Sequence, residues 1–271
     1  MNNKPIGVFD SGLGGLTVVR ELLKILPDEN IVYFGDTGRV PYGTRSRETI
    51  VRYARQDMNF LLTEEVKHIV IACGTVSSVA SDAANALPVP YTGVVKPAAE
   101  AAAKTTKNGN IGIIGTTATI GSNSFSKAIS AVNPSLKVLA VDCPLFVPLV
   151  ENGFIDDDEV SYLVAKRYLD VFAYENIDTL ILGCTHYPLL KRVILKVLGS
   201  SVTLIDTGFE TAGAVKRSLL ESNMLNTSGQ TGECRFFVSD RTDDFSRVAS
   251  MFLNRNISAD VSLVDIEKYG Y

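Results

Sequence analysis

The sequence predicts an α/β protein of two similar units, each with a mostly parallel central sheet, related by an approximate twofold with the active site in the cleft between them. Three observations predict it. Short apolar runs without polar alternation, such as Ile6–Phe9 and Thr179–Leu182, suit parallel strands covered on both faces. Such runs are followed by Gly or a small polar residue and then by helical apolar spacing. The pattern begins again at Ile111, its parts in the same order and at a nearly constant offset.

The first unit opens with Ile6-Gly7-Val8-Phe9, a glycine-rich turn Asp10-Ser11-Gly12-Leu13-Gly14-Gly15, and helical spacing from Leu16 to Leu26. Ile31–Phe34 is a second strand ending at Gly35-Asp36. Thr37–Ser46, with Pro41-Tyr42-Gly43, has loop composition, and a helix follows over Arg47–Glu64. Ile69–Ala72 is a buried strand, Cys73-Gly74-Thr75 opens a helix that continues through Ala86, and Tyr91–Val95 closes the set at Lys96-Pro97. In the second unit, Ile111–Ile114 with Gly115-Thr116-Thr117 copies the first strand and turn, and Leu136–Val141 ending at Asp142 copies the strand that ends at Asp36. Pro148–Gly153 falls where the Pro41-Tyr42-Gly43 loop fell, and Cys184 falls where Cys73 fell. Pro188 suits the first turn of a helix running through Val197, and Val202–Asp206 answers Tyr91–Val95. A helix over Phe209–Glu221, a loop over Ser222–Gly232, a strand over Cys234–Val238, a helix over Asp243–Leu253 and an apolar tail at Val261–Val264 extend one unit or the other. Asp156-Asp157-Asp158-Glu159 reads as a solvated, acidic helix start.

The 271 residues, 46% hydrophobic and 21% charged, are ordinary for a globular chain. A net charge of -4 with scattered basic residues leaves no electrostatic footprint for nucleic acid. No apolar stretch is long enough to span a bilayer, and the N-terminus lacks the basic and apolar regions of a signal peptide, so no membrane association and a cytoplasmic location are expected. The four cysteines, Cys73, Cys143, Cys184 and Cys234, are widely separated and would be free thiols there. Only His68 and His186 accompany them, without ligand spacing, so no metal is expected. Gly12-Leu13-Gly14-Gly15-Leu16-Thr17 approaches a dinucleotide fingerprint, but Thr17 stands at its third glycine, and Lys96 has no phosphate-binding glycine motif beside it. No cofactor is expected.

Two thiols at equivalent strand ends of two similar units suggest a site in which Cys73 and Cys184 face each other across a ligand. Strand carboxyl ends are where open α/β sheets bind ligands, and helix N-termini there lower thiol pKa values. Such a pair suits inversion of a stereocentre next to a carboxylate, one thiolate removing the α-proton and the opposite thiol returning one. Asp10, Asp36, Glu151 and His186 lie at strand ends or the following loops, able to take up protons or hold an ammonium group, while Thr75 and Thr185 suit carboxylates. Plainer readings stand beside these: a free Cys is commonly core, as read for Cys143 and Cys234, and Asp10, Asp36 and Asp142 also suit turn caps. His68, ahead of an apolar strand, reads as structural or surface.

The strings FDSGLGGL at Phe9–Leu16, PYGTRS at Pro41–Ser46, ACGT at Ala72–Thr75, PLVENG at Pro148–Gly153 and GCTHYPLL at Gly183–Leu190 together resemble glutamate racemase, of the aspartate/glutamate racemase superfamily. The resemblance covers nearly the whole chain. It implies a cofactor-independent interconversion of L- and D-glutamate that supplies D-glutamate for bacterial peptidoglycan, with Cys73 and Cys184 as the acid/base thiols. Asp10, Asp36, Glu151 and His186 match residues that assist the thiols. Asp10, Ser11, Pro41, Tyr42, Gly43, Gly74, Thr75, Thr185 and His186 match the substrate-binding stretches. It further implies a first domain of residues 1–96 plus 208–271, a second of 97–207, and a homodimer, an arrangement common in the family. A racemase for aspartate or another acidic amino acid, a catalytically silent amino-acid-binding protein, and a redox dithiol are the competing readings. One departure bears on them: Gly74 stands where the family motif reads Cys-Asn-Thr, removing a side-chain amide worth about 1.5–3 kcal/mol if it bonds a charged group.

Overall fold

A computed structural model describes residues 3–155, 158–240, 245–254 and 261–270. The first part of the chain runs β1 (Ile6–Asp10), α1 (Leu16–Ile25), β2 (Ile31–Gly35), α2 (Arg47–Thr63), β3 (His68–Ile71), α3 (Gly74–Val79) and β4 (Tyr91–Gly93). Helix α4 (Val95–Thr105) crosses to the second part: β5 (Asn110–Gly115), α5 (Thr117–Gly121), α6 (Ser124–Val132), β6 (Lys137–Asp142), α7 (Phe146–Glu151), α8 (Glu159–Glu175), β7 (Thr179–Leu182), α9 (Lys191–Leu198) and β8 (Thr203–Asp206). Helix α10 (Thr207–Glu221) leads back to β9 (Cys234–Val238), α11 (Phe245–Leu253) and β10 (Val261–Leu263).

The repeat is visible in the topology. One sheet has the order β10-β9-β2-β1-β3-β4 and the other β6-β5-β7-β8, every pairing parallel. The cores β2-β1-β3-β4 and β6-β5-β7-β8 are the same arrangement, and β9 and β10 extend only the first sheet. Strands β1, β2, β3 and β7 are buried throughout, as their unalternating apolar sequences require. In each sheet the strand order reverses beside its first strand, so the ligand crevice lies at the carboxyl ends of β1 and β3 and of β5 and β7. Register puts Phe9 beside Ile71 and Ile114 beside Leu182, which brings Asp10, Cys73, Thr116 and Cys184 to those ends.

Local differences from the sequence reading have physical causes. The helix expected from Cys73 through Ala86 ends at Val79, and a 3-10 stretch covers Ser81–Ala86. There the Ser77 hydroxyl donates to the Ile71 carbonyl and accepts from the Val94 N–H, drawing the segment onto the sheet. The helix expected from Pro188 begins as a 3-10 turn, Tyr187–Leu190, whose Tyr187 hydroxyl is anchored on the Cys143 carbonyl; α9 starts at Lys191. Pro148–Glu151 is helical where a loop was expected, because Phe146 and Val150 bury one face of α7. Lys96 sits in the first turn of α4 and is exposed, while His68 is buried within β3. Of the acidic run, Asp158 caps α8 through the Ser161 N–H; Asp156 and Asp157 lie outside the described residues.

Candidate active site

The two sheets turn their carboxyl edges toward one cavity of about 320 Å³, near the small end of the roughly 300–1,000 Å³ usual for ligand sites. Cys73, Gly74 and Thr75 face it from the end of β3, and Cys184, Thr185 and His186 from the end of β7. Ser11, the Pro41-Tyr42-Gly43 loop and Glu151 complete the predicted part of the wall. Asp10 lies beneath it, buried, accepting the Gly12 N–H at 3.1 Å. Asp36 is the predicted residue farthest from that role, reaching the cavity only through Tyr42.

The two thiols have the same address and different surroundings. Cys73 precedes α3 and its Sγ lies 3.5 Å from Ser11 Oγ, with the thiol as donor. Burial and then the Asp10 charge push this thiol up to about 12, outweighing its hydrogen bonds to Ser11 and the Val76 N–H. The lowering expected of a helix N-terminus is therefore overridden. Cys184 has no α-helix start beside it, since a 3-10 turn follows. Its neighbour is His186, whose Nδ1 is 3.8 Å from the sulfur and whose Nε2 is 3.1 Å from Glu151 Oε1. Burial opposes a charge on this ring, but hydrogen bonds to Cys184 and Glu151, with their charges, push it up to about 10. A cation thus stands beside one sulfur and a carboxylate beside the other.

The Pro41-Tyr42-Gly43 loop is held from behind by a buried cluster. Tyr42 donates its hydroxyl hydrogen to Asp36 and lies 3.1 Å from Asp57 Oδ2; Arg39 reaches Asp36 at 2.7 Å and Asp57 at 3.2 Å. A phenol has one hydrogen to give, so a protonated Asp57 is the form that completes the second bond. Burial and the Asp36 charge raise the Asp57 carboxyl well above the ordinary range, which favours that form. Behind the cluster the C-terminal turn Ile266–Tyr269 packs on α2. Glu267 accepts from Arg39 at 3.2 Å and from Gln56 at 3.1 Å, and the Tyr269 carbonyl accepts from Asn59 at 3.0 Å.

Two glycines admit the second sheet's loop. A Cβ on Gly14 would strike the Thr185 hydroxyl and the His186 ring, while Thr17 donates to the Thr185 carbonyl at 3.0 Å. The glycine-rich turn is therefore a seat for the Thr185-His186 loop. At Gly74 the place of a Cβ is taken by the Gly183 carbonyl oxygen. The missing amide leaves no vacant space there: the opposite loop fills it.

A family model described as Asp/Glu/Hydantoin racemase matches residues 6–214. The chain belongs to this family. Curated relatives include the glutamate racemase of Geobacter metallireducens, 46% identical with 97% of each chain covered. That of Chlorobaculum parvum is 47% identical with 96% of each covered. Among solved structures, the glutamate racemase of Francisella tularensis in complex with D-glutamate superposes with a TM-score of 0.92 at 42% identity, covering 99% of this chain and 100% of that one.

Within this racemase-family cavity several lining residues escaped the sequence reading: Thr116, Thr117, Pro144, Val147 and Pro148. Thr116 lies 3.0 Å from the Thr75 hydroxyl and carried a usable signal, since Gly115-Thr116-Thr117 repeats the Asp10-Ser11 turn. Pro148 opens the stretch that matches the Pro41-Tyr42-Gly43 loop, whereas Val147 had no signal, because its exposure to the cavity depends on the pitch of α7. Among the described residues no three His, Cys, Asp or Glu side chains gather as metal ligands, and no helix is long and apolar enough to cross a membrane.

Proposed function

We propose that this protein interconverts L- and D-glutamate without a cofactor, using Cys73 and Cys184 as opposed acid/base groups. The observation that carries the reading is a pair of free cysteines at corresponding ends of two matching sheets, lining one cavity of a racemase-family fold. One sulfur takes the α-proton, the electron pair passes into the substrate carboxylate, and the opposite sulfur gives its proton to the other face of Cα. The roles then exchange for the reverse direction. Cys73, kept protonated by its surroundings, suits the returning role, and a charged His186 stands beside Cys184. Thr75, Thr116, Thr185 and the Ser11 hydroxyl supply donors for carboxylates, Tyr42 and Pro41 shape the wall, and Asp10 sets the charge under Cys73. Asp36 acts as a positioning residue through Tyr42. The sheet membership supports a first domain of residues 1–96 with 208–271 and a second of 97–207. The relatives' names support glutamate as substrate; a cytoplasmic homodimer that provides D-glutamate for peptidoglycan is what the family resemblance implies.

The test is loss of optical rotation from L-glutamate and from D-glutamate in deuterated water, without added cofactor and with L-aspartate as control. Racemisation of glutamate alone, with deuterium entering Cα, is the expected result. Racemisation of aspartate instead reassigns the substrate, and silence on both replaces the enzyme by an amino-acid-binding protein.

A further inference from the structure

We propose that Gly74 sets the working gap between the two thiols, because its missing side chain lets the second sheet's loop close onto the first in direct backbone contact. The inference rests on the two-thiol reading above. Gly74 immediately follows Cys73, and Gly183 immediately precedes Cys184. A Cβ on Gly74 would fall on the Gly183 carbonyl oxygen, with Gly183 C at 3.3 Å and Cys184 Cα at 3.7 Å; all three atoms belong to the opposite loop. That contact is backbone against backbone, so no side-chain rotation relieves it.

Neither side has slack. The Gly183 N–H donates to the Ile114 carbonyl at 2.7 Å, and a Cβ on Gly183 would itself lie 2.6 Å from that oxygen, so the loop already rests on its own sheet. On the other side Gly74 is the first residue of α3, held by the Ser77 N–H on the Cys73 carbonyl at 2.9 Å. A methyl at position 74 therefore parts the two loops, and each loop carries its sulfur one residue away. Inversion needs both sulfurs within reach of one carbon, from opposite faces. Widening the gap by about an ångström is expected to lower inversion by roughly 10²-fold. Proton exchange on one face needs only one sulfur. A thiolate that removes the α-proton, exchanges it with solvent and returns deuterium to the same face balances by itself and survives the wedge.

The experiment is Gly74→Ala in deuterated water, reading optical rotation and deuterium at Cα together from each enantiomer. The expected result is a fall in kcat for inversion of roughly 10- to 100-fold with KM within about threefold of the parent, and a rise in the ratio of exchange to inversion for at least one enantiomer. Gly74→Asn should behave like Gly74→Ala or worse. Parent-like inversion in Gly74→Ala, or a Gly74→Asn variant with undiminished kcat and lowered KM, would overturn the proposal and restore the view that an amide is simply missing. A parent enzyme silent on both glutamate enantiomers would instead overturn the two-thiol reading. If Gly74→Ala does not fold, Gly74→Ser tests the same contact, because any Cβ at this position meets the Gly183 carbonyl oxygen. Exchange without inversion there supports the wedge, and parent-like inversion overturns it.

Discussion

The ends of β3 and β7 are the same place in two copies of one sheet, yet the copies have parted chemically. At the end of β3 the thiol is walled in, hydrogen-bonded to a serine and set above a carboxylate. At the end of β7 the thiol is next to a histidine that Glu151 holds in place. A symmetric scaffold supplies two opposed sulfurs; asymmetric neighbours decide where the proton rests between turnovers. The topology is thus shared, while the neighbours of the two sulfurs differ and still act on one another, since the His186 charge also favours the ionised form of Asp10 under Cys73.

The largest effects come from removing either sulfur. Cys73→Ser and Cys184→Ser are each expected to lower racemisation by about 10²–10⁴-fold or more, measured by loss of optical rotation. Full activity in either single variant would sink the two-thiol assignment. Next in size, His186→Asn removes the cation beside Cys184, and with it a charge that acts on Asp10, and a loss of roughly 10²-fold is expected. Because the enantiomers are equal in free energy in water, kcat/KM must fall equally in both directions. The asymmetry should therefore appear as unequal kcat values, and equal kcat losses would mean that the two thiols do not differ as described.

Smaller effects test what lies behind each half. Asp57→Asn keeps the shape of the buried cluster but changes its proton count, and a loss of about 1 kcal/mol, a roughly fivefold rise in KM with little change in kcat, is expected. An unchanged KM would show that Asp57 does not position the Tyr42 loop. The two histidines give the subtlest contrast, one in each half. His68 is pushed down from 6.5 to about 4, by burial first and then by Lys67, so the unfolded chain binds the extra proton between those values. Stability should therefore rise with pH from about 4 to 6.5, and His68→Gln should flatten that slope in melting curves. His186 is raised from 6.5 to about 10. Its contribution is fully present below pH 6.5 and is lost as pH climbs through 10, a loss that His186→Asn should lack.

Much of this was legible in the residues. Strands covered on both faces write themselves as unbroken apolar runs, so β1, β3, β5 and β7 and the repeat between them could be read directly, and with them the equivalence of Cys73 and Cys184. The boundaries that failed are set by partners distant in sequence: Ser77 bonds Ile71 and Val94, and Tyr187 bonds Cys143. The position of Asp36 at a strand end is visible in the sequence, whereas the convergence of Arg39, Tyr42 and Asp57 beside it exists only in three dimensions. Gly74 was read by what it lacks. What it touches, the Gly183 carbonyl, depends on how the two sheets meet, and no pattern in either segment records that.

The turn at Ile266–Tyr269 bears on how the protein should be handled. Glu267 and the Tyr269 carbonyl brace Arg39 and α2, and through Arg39 they brace the loop that carries Tyr42. A change that displaces residues 266–269 acts on this brace at a distance from the cavity. It should weaken apparent substrate affinity and would masquerade as an active-site defect.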